Sequence, residues 1–159
     1  MARTRLLPLL LAGLASLMIA GVALAKSDTA RAFTFTTTLS GAEEVNAAGV
    51  PNQGDLGGSG TATLTLNPGQ KTICYTITLV GITPNVDDTP FAAHIHEAPA
   101  GVNGPVVVPL GPLSLGTTLG CVPAESRTIA GIIADPTGYY VNVHNTEFPG
   151  GALRGQLGD

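Results

Sequence analysis

Threonine alternates with apolar residues over several short stretches, and this period of two constrains the fold more than any other feature of the sequence. It is clearest at 33–39 (FTFTTTL), 61–66 (TATLTL) and 71–82 (KTICYTITLVGI). Strict alternation with β-branched residues is typical of strands that bury one face. The faces predicted to point inward are Phe33, Phe35, Thr37 and Leu39; Ala62, Leu64 and Leu66; and Ile73, Tyr75, Ile77 and Leu79.

Gly- and Pro-rich clusters separate the remaining apolar runs into short strands. No segment after the first 25 residues shows a convincing helical apolar stripe, and 42–60 has no periodicity, so we predict a long loop there and no helix. Many short strands at this spacing predict an all-β fold, an antiparallel sandwich or barrel with Greek-key character. The further predicted strands are 91–96, 105–110, 127–133, 139–144 and 152–157.

The N-terminal segment has the layout of a secretory leader. Arg3 and Arg5 precede an apolar run over 6–24, and Ala23-Leu24-Ala25 is a small-x-small cleavage pattern before Lys26. The alternative is an uncleaved anchor, because the run approaches the roughly 20 residues that a spanning helix needs. We therefore expect a periplasmic or secreted protein with no membrane insertion after cleavage. The predicted organisation is a leader at 1–25, a linker at 26–32 and one domain at 33–157.

The charge pattern excludes two classes of partner. Without Arg3 and Arg5, five Lys and Arg residues stand against eleven Asp and Glu residues, and the basic residues are scattered. Binding to nucleic acid or to an anionic membrane requires a basic patch or stripe. Neither partner is expected.

The two cysteines, Cys74 and Cys121, are predicted to form a disulfide, since an even pair in an exported chain is normally oxidised. A pair of metal-binding thiolates is the alternative that the sequence leaves open.

All three histidines lie in two of the predicted strands. His94 and His96 share one face of 91–96, because side chains two residues apart in a strand lie about 6.5–7 Å apart on the same side. His144 lies on 139–144, on the same face as Asn142. If the two strands pair, the three imidazoles can converge on one ion, and neutral imidazole suits copper and zinc.

The carboxylates that follow these strands have two interpretations. Glu97 and Glu147 can orient the imidazoles from outside the ligand shell or supply an extra ligand. Alternatively, the histidines, Asn142 and Glu97 form a hydrogen-bonded polar cluster that supports the sheet and its loops without a metal.

Three segments resemble, in the same order, the CHRD domain found in chordin and in many secreted bacterial proteins: LSGAEEV (39–45), AHIHEAPAGVNGPVV (93–107) and YVNVHNTEFPGGALRGQL (140–157). The resemblance covers about 33–157. It implies an all-β, immunoglobulin-like sandwich or barrel. It also implies an exported, non-catalytic binding or structural module, whose partner is an unknown protein or cell-envelope component.

The second and third segments are also similar to Cu,Zn superoxide dismutases, whose copper-binding strand carries a His-x-His pair. This resemblance implies that His94, His96 and His144 are copper ligands and that Arg154 is an anion-attracting arginine. The segment 97–139 contains no histidine, so the bridging histidine and the zinc ligands of that family are missing. Arg154 has a structural alternative, which is to pair with Glu97 or to cap loop carbonyls. A copper- or zinc-binding protein is therefore the second hypothesis, and a redox enzyme is not the expected function.

Overall fold

The structure, a computed structural model, describes residues 31–84 and 91–158. The leader predicted at 1–25 lies outside the described residues, as does most of the linker predicted at 26–32. The described residues form eight strands and one α-helix, and none of their helices is long and apolar enough to cross a membrane. The elements are β1 (Phe33–Ser40), β2 (Ser59–Asn67), β3 (Thr72–Val80), β4 (Ala92–Glu97), β5 (Val106–Pro109), β6 (Gly116–Pro123), α1 (Ser126–Ala134), β7 (Tyr139–His144) and β8 (Leu153–Gln156).

The eight strands form one antiparallel sheet in the order β5-β4-β7-β8-β1-β2-β3-β6, which curls into a nearly closed barrel. The all-β antiparallel prediction is confirmed, in its barrel form. Strands distant in sequence lie side by side: β4 pairs with β7, β8 with β1, and β3 with β6. The segment predicted as a long loop at 42–60 is irregular apart from a 3-10 turn that begins at Gly41 and the start of β2 at Ser59.

The alternation predicted for the hairpin of β2 and β3 is confirmed. Inward side chains such as Leu64 and Ile77 are fully buried, and the threonines between them lie on the outer face. Burying a Leu or Ile side chain contributes about 1.5–3 kcal/mol relative to leaving it exposed, so this pattern determines which face of the sheet closes on the core. The same rule places Ile95 and Val141 inside and the histidines outside.

The prediction of a strand at 127–133 is wrong, because Ser126–Ala134 forms the helix α1. The β-branched residues of this segment favoured a strand. However, Ile129 and Ile132 are three residues apart, lie on one helical face and are both buried, while Arg127 is exposed. Two buried positions in a nine-residue helix make too short a stripe to recognise in the sequence.

The strand β6 was not predicted. It pairs with β3 along its whole length, but its inward positions are occupied by small or polar residues such as Thr118 and Gly120, so the alternation is weak. Cys74 and Cys121 are opposite each other in this pairing and form a disulfide. The predicted disulfide is therefore confirmed.

Candidate metal centre

The pairing of β4 with β7 brings the three histidines together. Its register places Ala92 opposite His144, His94 opposite Asn142, and His96 opposite Tyr140. Because side chains alternate along a strand, all three imidazoles emerge on the outer face of the barrel. The ring centroids lie 5.0 Å apart for His94 and His144, 5.7 Å for His94 and His96, and 6.0 Å for His96 and His144.

One nitrogen of each ring belongs to a compact set of potential metal donors. These donor atoms all lie within 4.8 Å of one another, and no other such group of His, Cys, Asp or Glu residues occurs in the described ranges. Around an ion with bonds of about 2.0–2.1 Å, tetrahedral donors lie about 3.4 Å apart. To bind one ion, the donors would therefore move closer together by up to about 1.4 Å, the difference between 4.8 Å and about 3.4 Å.

Hydrogen bonds to backbone carbonyls assign the protons of two of the rings. His96 Nδ1 donates to the carbonyl oxygen of Gly104 at 2.9 Å, and His144 Nδ1 donates to that of Pro149 at 3.1 Å. A carbonyl oxygen can only accept, so in both rings Nδ1 carries the hydrogen and Nε2 keeps its lone pair. An imidazole whose second nitrogen is held by a carbonyl is the usual arrangement around a protein-bound metal.

One nitrogen of each of the three rings has no hydrogen-bond partner. His94 Nδ1, His96 Nε2 and His144 Nε2 are all buried and unpaired. Most buried polar side-chain atoms in proteins are hydrogen-bonded, so three orphans in one cluster require an explanation. A metal ion would satisfy all three at once.

The surroundings keep the imidazoles neutral, which is the form that binds metal. Burial lowers the pKa of His144 to about 4, and charge repulsion from His94 acts in the same direction. Burial also lowers the pKa of His94 and, against the favourable bond to Gly104, that of His96.

The loop after β4, residues 98–104, lies against the histidine cluster and contacts it through Gly104. Gly104 N donates to Tyr140 Oη at 3.2 Å, in addition to the bond between the Gly104 carbonyl and His96. A Cβ at position 104 would lie 2.0 Å from the backbone oxygen of Glu97, so only glycine fits this approach. The loop that orients His96 is therefore determined by backbone packing.

Arg154 lies opposite Asn142 on the face that carries the histidines, and it is only 1% exposed. Its guanidinium lies 3.5 Å from the ring centroid of Tyr140, and Tyr140 stacks on His96 at 4.8 Å. Arg154 also donates to the carbonyl oxygen of Pro99 at 3.0 Å. Arg154 therefore reaches His96 through Tyr140 and caps a loop carbonyl.

The other predicted neighbours are distributed differently. Glu97 lies beyond the cluster and accepts a hydrogen bond from Tyr139 at 3.2 Å, while Glu147 is exposed. Neither belongs to the donor group. Asn142 is buried between His94 and Arg154, its cross-strand neighbours, and its Oδ1 atom has no partner.

Glu44 is a buried carboxyl group near this cluster, and no role was predicted for it from the sequence. It is 2% exposed, and Asn142 and Arg154 both lie near enough to act on its charge. Burial raises the pKa of Glu44 to about 7, although Arg154 and Asn142 both act to lower it. Nothing in the local sequence separates Glu44 from the exposed Glu43 beside it.

The comparison with family models gives one match, to the CHRD domain over residues 35–157. The chain belongs to the CHRD family. Searches of curated proteins and of solved structures gave no match. The matched range of this CHRD domain contains all three histidines, Glu44 and Arg154, so the candidate centre lies within the family domain itself.

Proposed function

We propose that this CHRD domain is a non-catalytic metal-binding module that holds one copper ion through His94 Nδ1, His96 Nε2 and His144 Nε2, with zinc as the weaker competitor. Two observations support the proposal: these three nitrogens are buried and unpaired, and one nitrogen of each of the three rings lies within 4.8 Å of the other two. The carbonyl bonds to the opposite nitrogens of His96 and His144 support the same donor assignment.

The donor chemistry favours copper. Imidazole binds both copper and zinc, but among divalent first-row metals a nitrogen site has its highest affinity for Cu²⁺. The two cysteines cannot act as thiolate ligands, because they form a disulfide on β3 and β6. Among the residues that the structure describes, the ligand set is therefore imidazole alone.

The sequence contains three histidines, and all of them belong to this cluster. No further histidine is available to bridge to a second metal, which is why the proposal stops at binding. The family model names a domain and no reaction. The role that fits is to hold or deliver the metal in a protein exported by its leader peptide, and the disulfide supports an oxidising compartment.

Calorimetric titration with Cu²⁺ and Zn²⁺ tests the proposal on the chain from Lys26 to Asp159. We expect one ion per chain, with a dissociation constant below about 1 μM for Cu²⁺ and a higher one for Zn²⁺. A His94→Ala, His96→Ala, His144→Ala triple variant should show no binding.

A matched control comes from the carboxylates that flank the same strands. A Glu97→Gln, Glu147→Gln double variant should bind copper like the wild type, because neither carboxylate belongs to the donor group. Circular dichroism must show that each variant is folded, and the three single histidine variants replace the triple variant if it is not. Equal binding by the wild type and the histidine variants would contradict the proposal.

A further inference from the structure

The disulfide between β3 and β6 lies on the outer face of the sheet. Ile73 and Ile77 of β3 point inward and are fully buried, whereas Cys74 belongs to the alternate set of side chains and is half-buried. Its partner on β6, Cys121, is exposed. This position is unusual, because cysteine is among the residues that folded proteins most often bury completely. The bond therefore lies outside the core, within reach of a reagent in solution.

A depression of about 320 Å³ in the outer face has both cysteines in its lining. Small-molecule sites in proteins begin at about 300 Å³, so the depression is large enough for a small thiol. None of the lining residues is charged, so no carboxylate among them repels an approaching thiolate. Besides the cysteines, the lining consists of Thr63, Thr65, Tyr75, Thr76, Leu119 and Gly120.

A full ladder holds β3 and β6 together in addition to the disulfide. The two strands keep one continuous register over eight residue pairs. The side chains of Thr78 and Thr117 add a hydrogen bond of 3.0 Å on the outer face. In the chain-entropy model, a disulfide stabilises a protein mainly by restricting the unfolded chain. Breaking this bond therefore removes no core contact and leaves the strand pairing in place.

We propose that the Cys74–Cys121 disulfide is a thiol-exchange site, which small thiols reduce while the barrel stays folded. A thiolate attacks Sγ of Cys121, the more exposed of the two cysteines. The bond to Cys74 breaks, and Cys74 Sγ leaves as a thiolate and takes a proton from water. A second thiolate attacks the sulfur that the first thiol contributed, which frees Cys121 to take a proton in turn. Two thiols are thereby oxidised to one disulfide, and the two electrons that they lose reduce the Cys74–Cys121 bond.

Exposure separates this behaviour from that of a purely structural disulfide. Exposed disulfides are the ones that exchange readily with thiols, whereas a disulfide shielded by the fold is reached only after unfolding. Cys121 belongs to the first class by its position. The inference is independent of metal binding, because the histidines lie on β4 and β7.

Reduction of the chain from Lys26 to Asp159 by dithiothreitol, without denaturant, tests the proposal. Alkylation and mass spectrometry count the free thiols over time, and circular dichroism follows the fold. The rate should be proportional to the thiolate concentration and unchanged by urea below the unfolding transition, because no unfolding is required. A rate that rises with urea as the unfolded population does, or a chain that unfolds on reduction, would overturn the proposal.

Charge beside Cys121 gives a second readout, which a disulfide reached only by unfolding would not show. Leu119 is 72% exposed and lies two residues from Cys121 on the same face, at about 6.5–7 Å. At low salt, Leu119→Lys should raise and Leu119→Glu should lower the second-order rate constant for the anionic thiolate, each by about twofold or more.

The matched controls are Leu56→Lys and Leu56→Glu. Leu56 is similarly exposed, at 68%, but lies in the loop before β2, so both variants should react like the wild type. Equal rate constants for the wild type and both Leu119 variants would show that the thiolate does not attack beside Leu119, and would overturn the proposal.

Discussion

His144 Nδ1 donates a hydrogen bond of 3.1 Å to the carbonyl oxygen of Pro149, and this bond determines which ring nitrogen of His144 keeps a free lone pair. The Nε2 atom on the other side is buried and unpaired, and it points into the same small space as nitrogens of His94 and His96. A backbone loop, residues 145–152, thus sets the donor atom of a side chain that belongs to β7.

Metal binding should tolerate mild acid. The pKa values of the three histidines are lowered, that of His144 to about 4, so protons compete weakly with a metal above that range. Between pH 7 and about pH 5.5 the copper affinity should fall less than about tenfold. Over the same pH interval, the copper affinity of a peptide of residues 91–98, whose imidazoles are unperturbed, should fall about tenfold per histidine. Copper titrations of the chain and of the peptide at the two pH values check this. Equal losses of affinity per histidine would argue against preorganised neutral rings.

Gly151→Ala should destabilise the fold. A Cβ there would lie 2.6 Å from the Glu44 carboxyl group, and the φ angle of 146° is one that side chains rarely adopt. Overpacking of this kind costs about 1–3 kcal/mol in the free energy of unfolding. Gly150→Ala is the control, since a Cβ at 150 meets nothing within 4 Å. Urea unfolding of both variants measures the difference, and equal stabilities would show that Glu44 does not pack there.

Glu44 should make the stability depend on pH. Its pKa is about 7 in the folded chain against 4.5 as the ordinary value, so the folded state binds more protons in between. The free energy of unfolding should therefore lose up to about 3 kcal/mol from this group as pH rises from 4.5 through 7. Glu44→Gln should remove that loss. The free energy of unfolding of this variant, measured relative to the wild type, should therefore rise with pH.

Glu43→Gln provides the control for Glu44→Gln, because Glu43 is the adjacent carboxylate and is exposed. Unfolding curves of the two variants across the pH range should diverge. If both run parallel to the wild-type curve, Glu44 is not a buried acid in solution.

The disulfide should support the fold without affecting the metal. A bond across a separation of 47 residues contributes about 4 kcal/mol by restricting the unfolded chain. A Cys74→Ala, Cys121→Ala double variant should lose that stability in thermal or urea unfolding. Its copper affinity should remain unchanged, because both residues lie on β3 and β6 while the ligands lie on β4 and β7. A changed copper stoichiometry would implicate Cys74 and Cys121 in metal binding.

The alternation of apolar and polar residues was enough to predict most strands and the inward faces of β2 and β3, because every second side chain of these strands points to the core. It also predicted that His94 and His96 share a face. It failed for α1, where Ile129 and Ile132 are buried at helical spacing in a segment rich in β-branched residues. It failed for β6 because Gly120 and Thr118 give little hydrophobic contrast.

The donor atoms could not be predicted from the sequence. They depend on the carbonyl groups of Gly104 and Pro149, which long-range folding places beside the rings. The role of Glu44 has the same origin, since its burial depends on contacts with Asn142 and Gly151 that lie about a hundred residues away in the chain.

A crystal structure of the copper-loaded chain, with anomalous scattering measured at the copper edge, tests the proposed coordination. We expect one copper peak about 2.0–2.1 Å from His94 Nδ1, His96 Nε2 and His144 Nε2, with the bonds to Gly104 and Pro149 retained. A peak elsewhere, or coordination that uses the opposite nitrogens of His96 and His144, would contradict it.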